Sequence, residues 1–135
     1  MDQRIKNKLQ QFDKALSTLK ECLDADIKNN LFVRDSAIQR FEYSVELSWK
    51  ILKLFLSERF GNDVFSPKEC FRSLLTNKLI TAGETELFLT MIDDRNLASH
   101  TYDETFIEKL ILKLPDYYQG MGKIADLIRE NKPEY

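Results

Sequence analysis

Apolar residues recur at alternating steps of four and three along the start of the chain. This set comprises Ile5, Leu9, Phe12, Leu16, Leu19 and Leu23. Such spacing places every member on one face of an α-helix. Similar helical patterns follow, glycine (4) and proline (3) are scarce among the 135 residues, and no segment alternates as a half-buried strand does. The sequence therefore predicts an all-α fold, an up-and-down four-helix bundle with one short additional helix, and residues 1–135 as one domain.

The helix boundaries are predicted from these patterns and from capping residues. The expected helices cover approximately residues 2–25, 35–60, 67–77, 82–98 and 104–131. Ser66 and Thr81 each precede a glutamate by three residues, which is the spacing of the capping boxes that open helices. Gly61 supplies a stop for the second helix. Pro115 is expected to kink the last helix, because it lacks a backbone donor.

Composition narrows the function classes. The chain carries 20 basic and 22 acidic residues, a net charge of −2, so its total charge does not indicate a strongly basic nucleic-acid binder, although a local patch stays possible. No apolar run approaches the roughly 20 residues that cross a bilayer, so no membrane association is expected. Cys22 and Cys70 are far apart with no CxxC motif or signal peptide, which predicts reduced thiols in a cytoplasmic protein. A single histidine and scattered acids predict neither a metal site nor a cofactor.

The segment from Arg95 to Tyr102 holds the chain's only histidine, His100. Arginine offers a planar, permanent charge suited to phosphate, and an imidazole can move a proton near neutral pH. In an unbroken helix these two residues would lie about 140° apart, so the helix is expected to end between them. Together they would suffice for metal-free RNA cleavage through the ribose 2′-hydroxyl. The general acid and the general base of such a reaction are usually two different side chains. A symmetric dimer is therefore expected to supply a second histidine.

Plainer interpretations of these residues stay open at this point. A histidine after a helix is commonly an ordinary surface side chain or a partner of the helix dipole. The flanking acids Asp93, Asp94, Asp103 and Glu104 would repel phosphate, and Asp94 could pair with Arg95. On the second predicted helix, Glu46 stands four residues before Lys50. It is therefore either part of a solvated ion pair or a support residue that faces Arg95 from a neighbouring helix.

Three blocks of the sequence resemble the HEPN superfamily, and specifically the HepT toxins, also called nucleotidyltransferase substrate-binding proteins. The blocks are Phe41-Glu42-Tyr43-x3-Leu47-x-Trp49-Lys50, Ser66-Pro67-Lys68-Glu69 and Arg95-Asn96-x3-His100-Thr101-Tyr102. They occur in the family's order and at similar spacing, and the resemblance covers essentially the whole chain. It implies a single HEPN-like helical bundle domain that forms a homodimer with paired sites lining a cleft.

The resemblance also implies a function and assigns roles to residues. The implied protein is the toxin of a toxin–antitoxin pair, a metal-independent endoribonuclease whose substrate is RNA. Arg95 would hold phosphate, His100 would move the proton and Asn96 would shape the site, with Glu46 as a candidate support residue. Tyr102 would accept AMP from a minimal nucleotidyltransferase antitoxin, which silences the toxin. The alternative is a non-catalytic substrate-binding or regulatory subunit of a nucleotidyltransferase.

Overall fold

The computed structural model describes residues 2–100 and 103–131, and these ranges contain five α-helices. They are α1 (Gln3–Asp24), α2 (Leu31–Phe60), α3 (Pro67–Thr76), α4 (Ala82–Ala98) and α5 (Glu104–Glu130). No strand occurs in these two ranges. The predicted all-α bundle with one short extra helix, α3, is confirmed. No helix in the described part of the chain has the length and apolarity to cross a membrane.

The core lies where α1, α2 and α5 pack along one another, and α3 and α4 cover one side of this group. Most of the apolar face predicted for α1 is buried, from Ile5 to Leu19. Two aromatic pairs lock neighbouring helices together. The rings of Phe41 and Tyr117 stack at 5.6 Å between α2 and α5, and those of Phe71 and Phe88 stack at 4.7 Å between α3 and α4. The second pair fixes the position of α4, which carries the Arg95 segment.

Helix α2 begins four residues earlier than predicted, at Leu31. Asn30 caps it, since its side-chain oxygen accepts hydrogen bonds from the backbone N–H groups of Phe32 at 2.9 Å and Val33 at 3.3 Å. The cap was missed because Leu31 and Phe32 are exposed, so the first turn of the helix adds nothing to the apolar stripe. At its other end α2 stops at Gly61, whose φ of 67° is the left-handed conformation expected of a C-terminal cap.

Of the two predicted capping boxes, one is complete. Thr81 and Glu84 exchange both side-chain to backbone bonds, at 3.1 and 2.9 Å, and open α4. Ser66 accepts the N–H of Glu69 at 3.3 Å, but the Glu69 carboxylate returns to the N–H of Phe65 at 3.0 Å. The capping box predicted at Ser66 was therefore wrong in the bond made by the Glu69 carboxylate, although α3 starts where that box predicts.

The two cysteines and Pro115 were also singled out from the sequence. Cys22 and Cys70 are both free thiols. Burial raises the pKa of Cys70 to about 12, so this thiol stays protonated and unreactive at neutral pH. Helix α5 runs through Pro115 without interruption from Glu104 to Glu130.

Candidate active site

Helix α4 ends inside the segment that contains the sequence-predicted catalytic pair. Arg95 lies in its last turn, Ala98 is its final residue and Ser99 is its C-terminal cap. His100 follows in a turn, with its backbone N–H bonded to the carbonyl of Leu97 at 3.0 Å and its side chain exposed. Helix α4 thus ends between Arg95 and His100, as is required if both side chains are to act on one phosphate. Asn96 is exposed on the last turn of α4, and Tyr102 lies outside the described residues.

Glu46 of α2 reaches Arg95 across the interface between α2 and α4. Its Oε2 lies 3.7 Å from a terminal guanidinium nitrogen of Arg95. The same carboxylate accepts a hydrogen bond from the Trp49 indole at 3.0 Å and pairs with Lys50 at 3.3 Å. Glu46 therefore pairs along its own helix and also faces Arg95, and its role as a support residue stays a prediction.

The ionisation of Glu46 follows from these contacts. Burial raises the pKa of Glu46, but the hydrogen bonds from Trp49 and Lys50 and the charges of Lys50 and Arg95 together outweigh burial. The pKa therefore lies below the ordinary value of 4.5. Glu46 is therefore an anion at neutral pH, and its Oε2 lies within ion-pair distance of the Arg95 guanidinium.

Two further residues hold the end of α4 and were not singled out from the sequence. The Ser99 hydroxyl contacts the Glu42 carboxylate at 3.1 Å and the carbonyl of Arg95 at 3.3 Å. Glu42 stands one turn before Glu46 on α2, so two successive glutamates of one helix face bind the end of α4. The i, i+4 spacing of Glu42 and Glu46 was the available signal, but only the packing of α2 against α4 shows what they bind.

Asp94 does not compete for Arg95. It is 6% exposed and turns toward α5, where it accepts hydrogen bonds from the Tyr117 hydroxyl at 2.5 Å and Lys113 at 3.1 Å. Burial, followed by the hydrogen bond to Asp94, raises the pKa of Tyr117 above its ordinary range, so this hydroxyl remains a donor. The open question of an Asp94–Arg95 pair is answered, since Arg95 instead meets Glu46.

Other acids around the segment are also matched by cations. Asp93 pairs with Lys68 of α3 at 2.7 Å, and Glu104 pairs with Arg34 of α2 at 2.9 Å. With Asp94 bound to Lys113, the acids Asp93, Asp94 and Glu104 each have a neutralising partner. Their repulsion of a phosphate is therefore weaker than the sequence alone suggests.

The buried side of Arg95 carries an unusual group. Its Nε is fully enclosed and makes no hydrogen bond within the described ranges, whereas the far end of the guanidinium meets Glu46. A buried donor without a hydrogen-bond partner costs free energy, and the Nε of Arg34 shares this feature. Residues 2–100 and 103–131 contain no cluster of three or more His, Cys, Asp or Glu side chains arranged to hold a metal ion. The site therefore has a cation paired with Glu46 on the last turn of α4 and an exposed imidazole just past the end of that helix.

The profile of a family described as "Nucleotidyltransferase substrate binding protein like" matches residues 7–130. The chain belongs to this family. The resemblance drawn from the three sequence blocks, to nucleotidyltransferase substrate-binding proteins, is thereby confirmed. A protein from Thermus thermophilus, known as a crystal structure, is 39% identical, with a TM-score of 0.83 over 88% of this chain and 99% of that one.

Two further relatives have names that describe a function. A Haemophilus influenzae protein named "Probable ribonuclease HepT" is 29% identical over 98 residues, 70% of this chain and 66% of that protein. The match therefore spans just under two thirds of the relative's length. The structure of a tri-AMPylated HEPN toxin from Shewanella oneidensis, in complex with MNT antitoxin, has a TM-score of 0.80 at 20% identity. It covers 96% of this chain and 98% of that one, a likeness that shows the shared fold.

Proposed function

We propose that this chain is the toxin subunit of a toxin–antitoxin pair and acts as a metal-independent endoribonuclease. One observation supports the proposal: α4 ends between Arg95, which pairs with Glu46, and His100, whose side chain is exposed. The names of the relatives, a ribonuclease and a toxin in complex with its antitoxin, support the same reaction and partner class. RNA is then the substrate, and we expect the protein to act in the cytoplasm.

The proposed reaction needs only proton transfers and one exchange at phosphorus. The His100 imidazole takes the proton of a ribose 2′-hydroxyl, and the 2′-oxygen attacks the adjacent phosphorus. As this P–O bond forms, the P–O5′ bond breaks, and the departing 5′-oxygen takes a proton from a second imidazole. The products are a 2′,3′-cyclic phosphate and a 5′-hydroxyl. Arg95 stabilises the extra negative charge that develops on the phosphoryl oxygens.

The supporting residues have positions that suit this scheme. Glu46 orients the guanidinium through their 3.7 Å contact, and Asn96 is exposed on the same helical turn, where it shapes the approach to the phosphate. Since each chain supplies a single histidine, the second imidazole comes from another copy in a homodimer.

The direct test uses purified protein and an RNA oligonucleotide in the presence of a chelator. Wild type should cleave the RNA and leave cyclic-phosphate ends, whereas His100→Ala and Arg95→Ala should each lose about a hundredfold or more in kcat. Arg4→Ala is the matched control, because Arg4 pairs with Asp2 at the start of α1. Equal cleavage by wild type and both site variants, or none by wild type, would contradict the enzymatic proposal.

Regulation is proposed at Tyr102, two residues after His100. A partner nucleotidyltransferase would direct the tyrosine oxygen to the α-phosphorus of ATP, which forms a phosphodiester and releases pyrophosphate. The added phosphate and adenosine would oppose RNA by charge and by bulk. Mass spectrometry after incubation with such a partner and ATP should show the mass of one or more AMP groups on wild type, and none in Tyr102→Phe. Tyr43→Phe, at an exposed tyrosine of α2, is the control, and unchanged modification of Tyr102→Phe would refute this acceptor.

A second candidate is a non-catalytic subunit that presents a substrate to a nucleotidyltransferase. The observations that favour it are the family's description as substrate binding and the engagement of Arg95 by Glu46. This function predicts a stable complex with the nucleotidyltransferase whose formation is unaffected by His100→Ala, together with intact RNA in the cleavage assay. The two candidates thus differ in a single measurement, the His100-dependent loss of RNA.

A further inference from the structure

Phe65 presents a large aromatic ring to solvent from a fixed backbone. It is 77% exposed, whereas its neighbour Val64 is buried. Its N–H is bound by the Glu69 carboxylate at 3.0 Å, and Ser66 directly after it caps α3. An ordered backbone that holds an apolar ring in water is a feature of binding surfaces, where flat rings accept stacked partners at low cost in side-chain entropy.

Side chains of α2 lie between this ring and the candidate active site. The Lys53 ammonium lies 6.0 Å from the centroid of the Phe65 ring. Lys50, one turn earlier on α2, lies 3.3 Å from Glu46, which in turn meets Arg95 at 3.7 Å. Along α2 the rise from Glu46 to Lys53 is about 10 Å. We call Lys50, Lys53 and Phe65 the stacking strip.

The charge of this surface differs from that of the whole chain. The protein carries a net charge of −2, but along the line from Arg95 to Phe65 three cations accompany two anions, Glu46 and Glu69. Lysines that follow a phosphate backbone and an aromatic ring that stacks a base are the two components of sequence-tolerant binding to single strands.

We propose that the stacking strip binds single-stranded RNA next to the scissile phosphate. Lys50 and Lys53 contact neighbouring phosphates, and one base stacks on Phe65. This inference rests on the proposed ribonuclease function and names how the substrate is held. Single-stranded rather than duplex RNA fits because a base inside a helix has no free face for Phe65.

The experiment measures binding separately from cleavage. A fluorescent 2′-O-methyl RNA oligonucleotide lacks the attacking hydroxyl, so its affinity for the full-length protein is measured by anisotropy at several salt concentrations. Phe65→Ala should raise Kd about fivefold to a hundredfold, the loss of one stacked base, and Phe65→Trp should retain wild-type affinity. Lys53→Gln should lower the slope of log affinity against log salt by about 0.7.

Two matched controls come from elsewhere on the chain. Phe32→Ala removes another exposed phenylalanine, 88% exposed at the opposite end of α2, and about 32 Å from Lys53 along that helix. Lys14→Ala removes an exposed lysine of α1. Both should leave Kd and its salt dependence unchanged.

Three results would overturn the stacking strip. One is an unchanged Kd in Phe65→Ala, and another is an equal loss in Phe32→Ala. The third is a change of sedimentation coefficient in Phe65→Ala with no change of RNA affinity, which would make this surface a contact between copies of the chain. Cleavage by wild type with no effect of Phe65→Ala refutes the strip alone. Binding that depends on Phe65, without any cleavage, refutes the ribonuclease function alone.

Discussion

Glu46 has three simultaneous partners, Arg95, Lys50 and Trp49, and this makes its contribution depend on pH. Its pKa is lower in the folded protein than its ordinary 4.5. Its ionised form therefore stabilises the fold above that value, and the contribution is lost as the pH falls through the lower folded-state pKa. Glu46→Gln should be less stable than wild type at pH 7, with the difference shrinking as the pH falls below about 4.5 and disappearing below the folded-state pKa. Urea unfolding across this range measures it.

Glu21→Gln is the control for that titration, since Glu21 is an exposed glutamate on α1. Its stability should follow wild type at each pH. A deficit of Glu46→Gln that stays constant into acid would mean that shape rather than charge is responsible.

Tyr117 and Asp94 form the other residue pair with a measurable energy. Tyr117→Phe keeps the ring stacked on Phe41 but removes the donor that lies 2.5 Å from the buried Asp94 carboxylate. A lost hydrogen bond to a buried charge should lower the free energy of unfolding by about 1.5–3 kcal/mol, as measured by urea denaturation. Tyr118→Phe is the matched control, because Tyr118 lines the groove against α1. Equal losses of unfolding free energy in both variants would show that the hydrogen bond to Asp94 does not stabilise the fold.

How far the sequence predicts this site can be judged from the same residues. The break of α4 follows from local chemistry, so Arg95 and His100 were placed correctly relative to the helix end. The direction of Asp94 was not predictable, because a residue about 100° around α4 from Arg95 meets whichever helix packs there. Likewise, Glu46 was known to share a face with Lys50, but its contact with Arg95 depends on the packing of α2 against α4.

At the level of the helices, two glycines of α5 offer a comparison within one element. A Cβ on Gly120 would lie 3.0 Å from the Phe88 ring, whereas one on Gly122 would meet nothing within 4 Å. Phe88 is buried and stacked on Phe71 at 4.7 Å, so it has little room to move. Gly122→Ala should therefore stabilise the protein by about 1 kcal/mol through helix propensity, and Gly120→Ala should destabilise it. Thermal and urea unfolding measure the stability of both variants. A Gly120→Ala variant that is more stable than wild type would show that α4 shifts to make room for the added methyl group.

The helix boundaries show the limit of pattern-based prediction at this scale. At Thr81, where an apolar stripe and a cap coincide, the start of the helix was predicted to the residue. At Asn30 the cap precedes an exposed first turn of α2, and periodicity identifies only turns that bury a face. The unpredicted turn has a structural use, since it carries Arg34 to its ion pair with Glu104 at the start of α5.

At the level of the whole molecule, ion pairs between helices hold the long helix α5 at both ends. Arg34 of α2 binds Glu104 near its start, and Arg129 near its end binds Asp13 of α1 at 2.7 Å. Between these, Asp94 fixes α4 to the middle of α5 through Tyr117. The bundle therefore keeps the end of α4 in a defined position, with His100 on the surface. An imidazole on the surface is accessible to a second copy of the chain.

The proposal that two copies each supply one histidine to a site leads to a prediction for mixed dimers. Co-expression of wild type and His100→Ala with different affinity tags allows the heterodimer to be purified through both tags. If cleavage uses one histidine as base and the partner's as acid, the heterodimer should be nearly as inactive as the His100→Ala homodimer. Each site working alone would instead give roughly half of the wild-type activity per dimer. A heterodimer of wild type with Lys14→Ala, purified in the same way, should match wild type and controls for the effect of the tags.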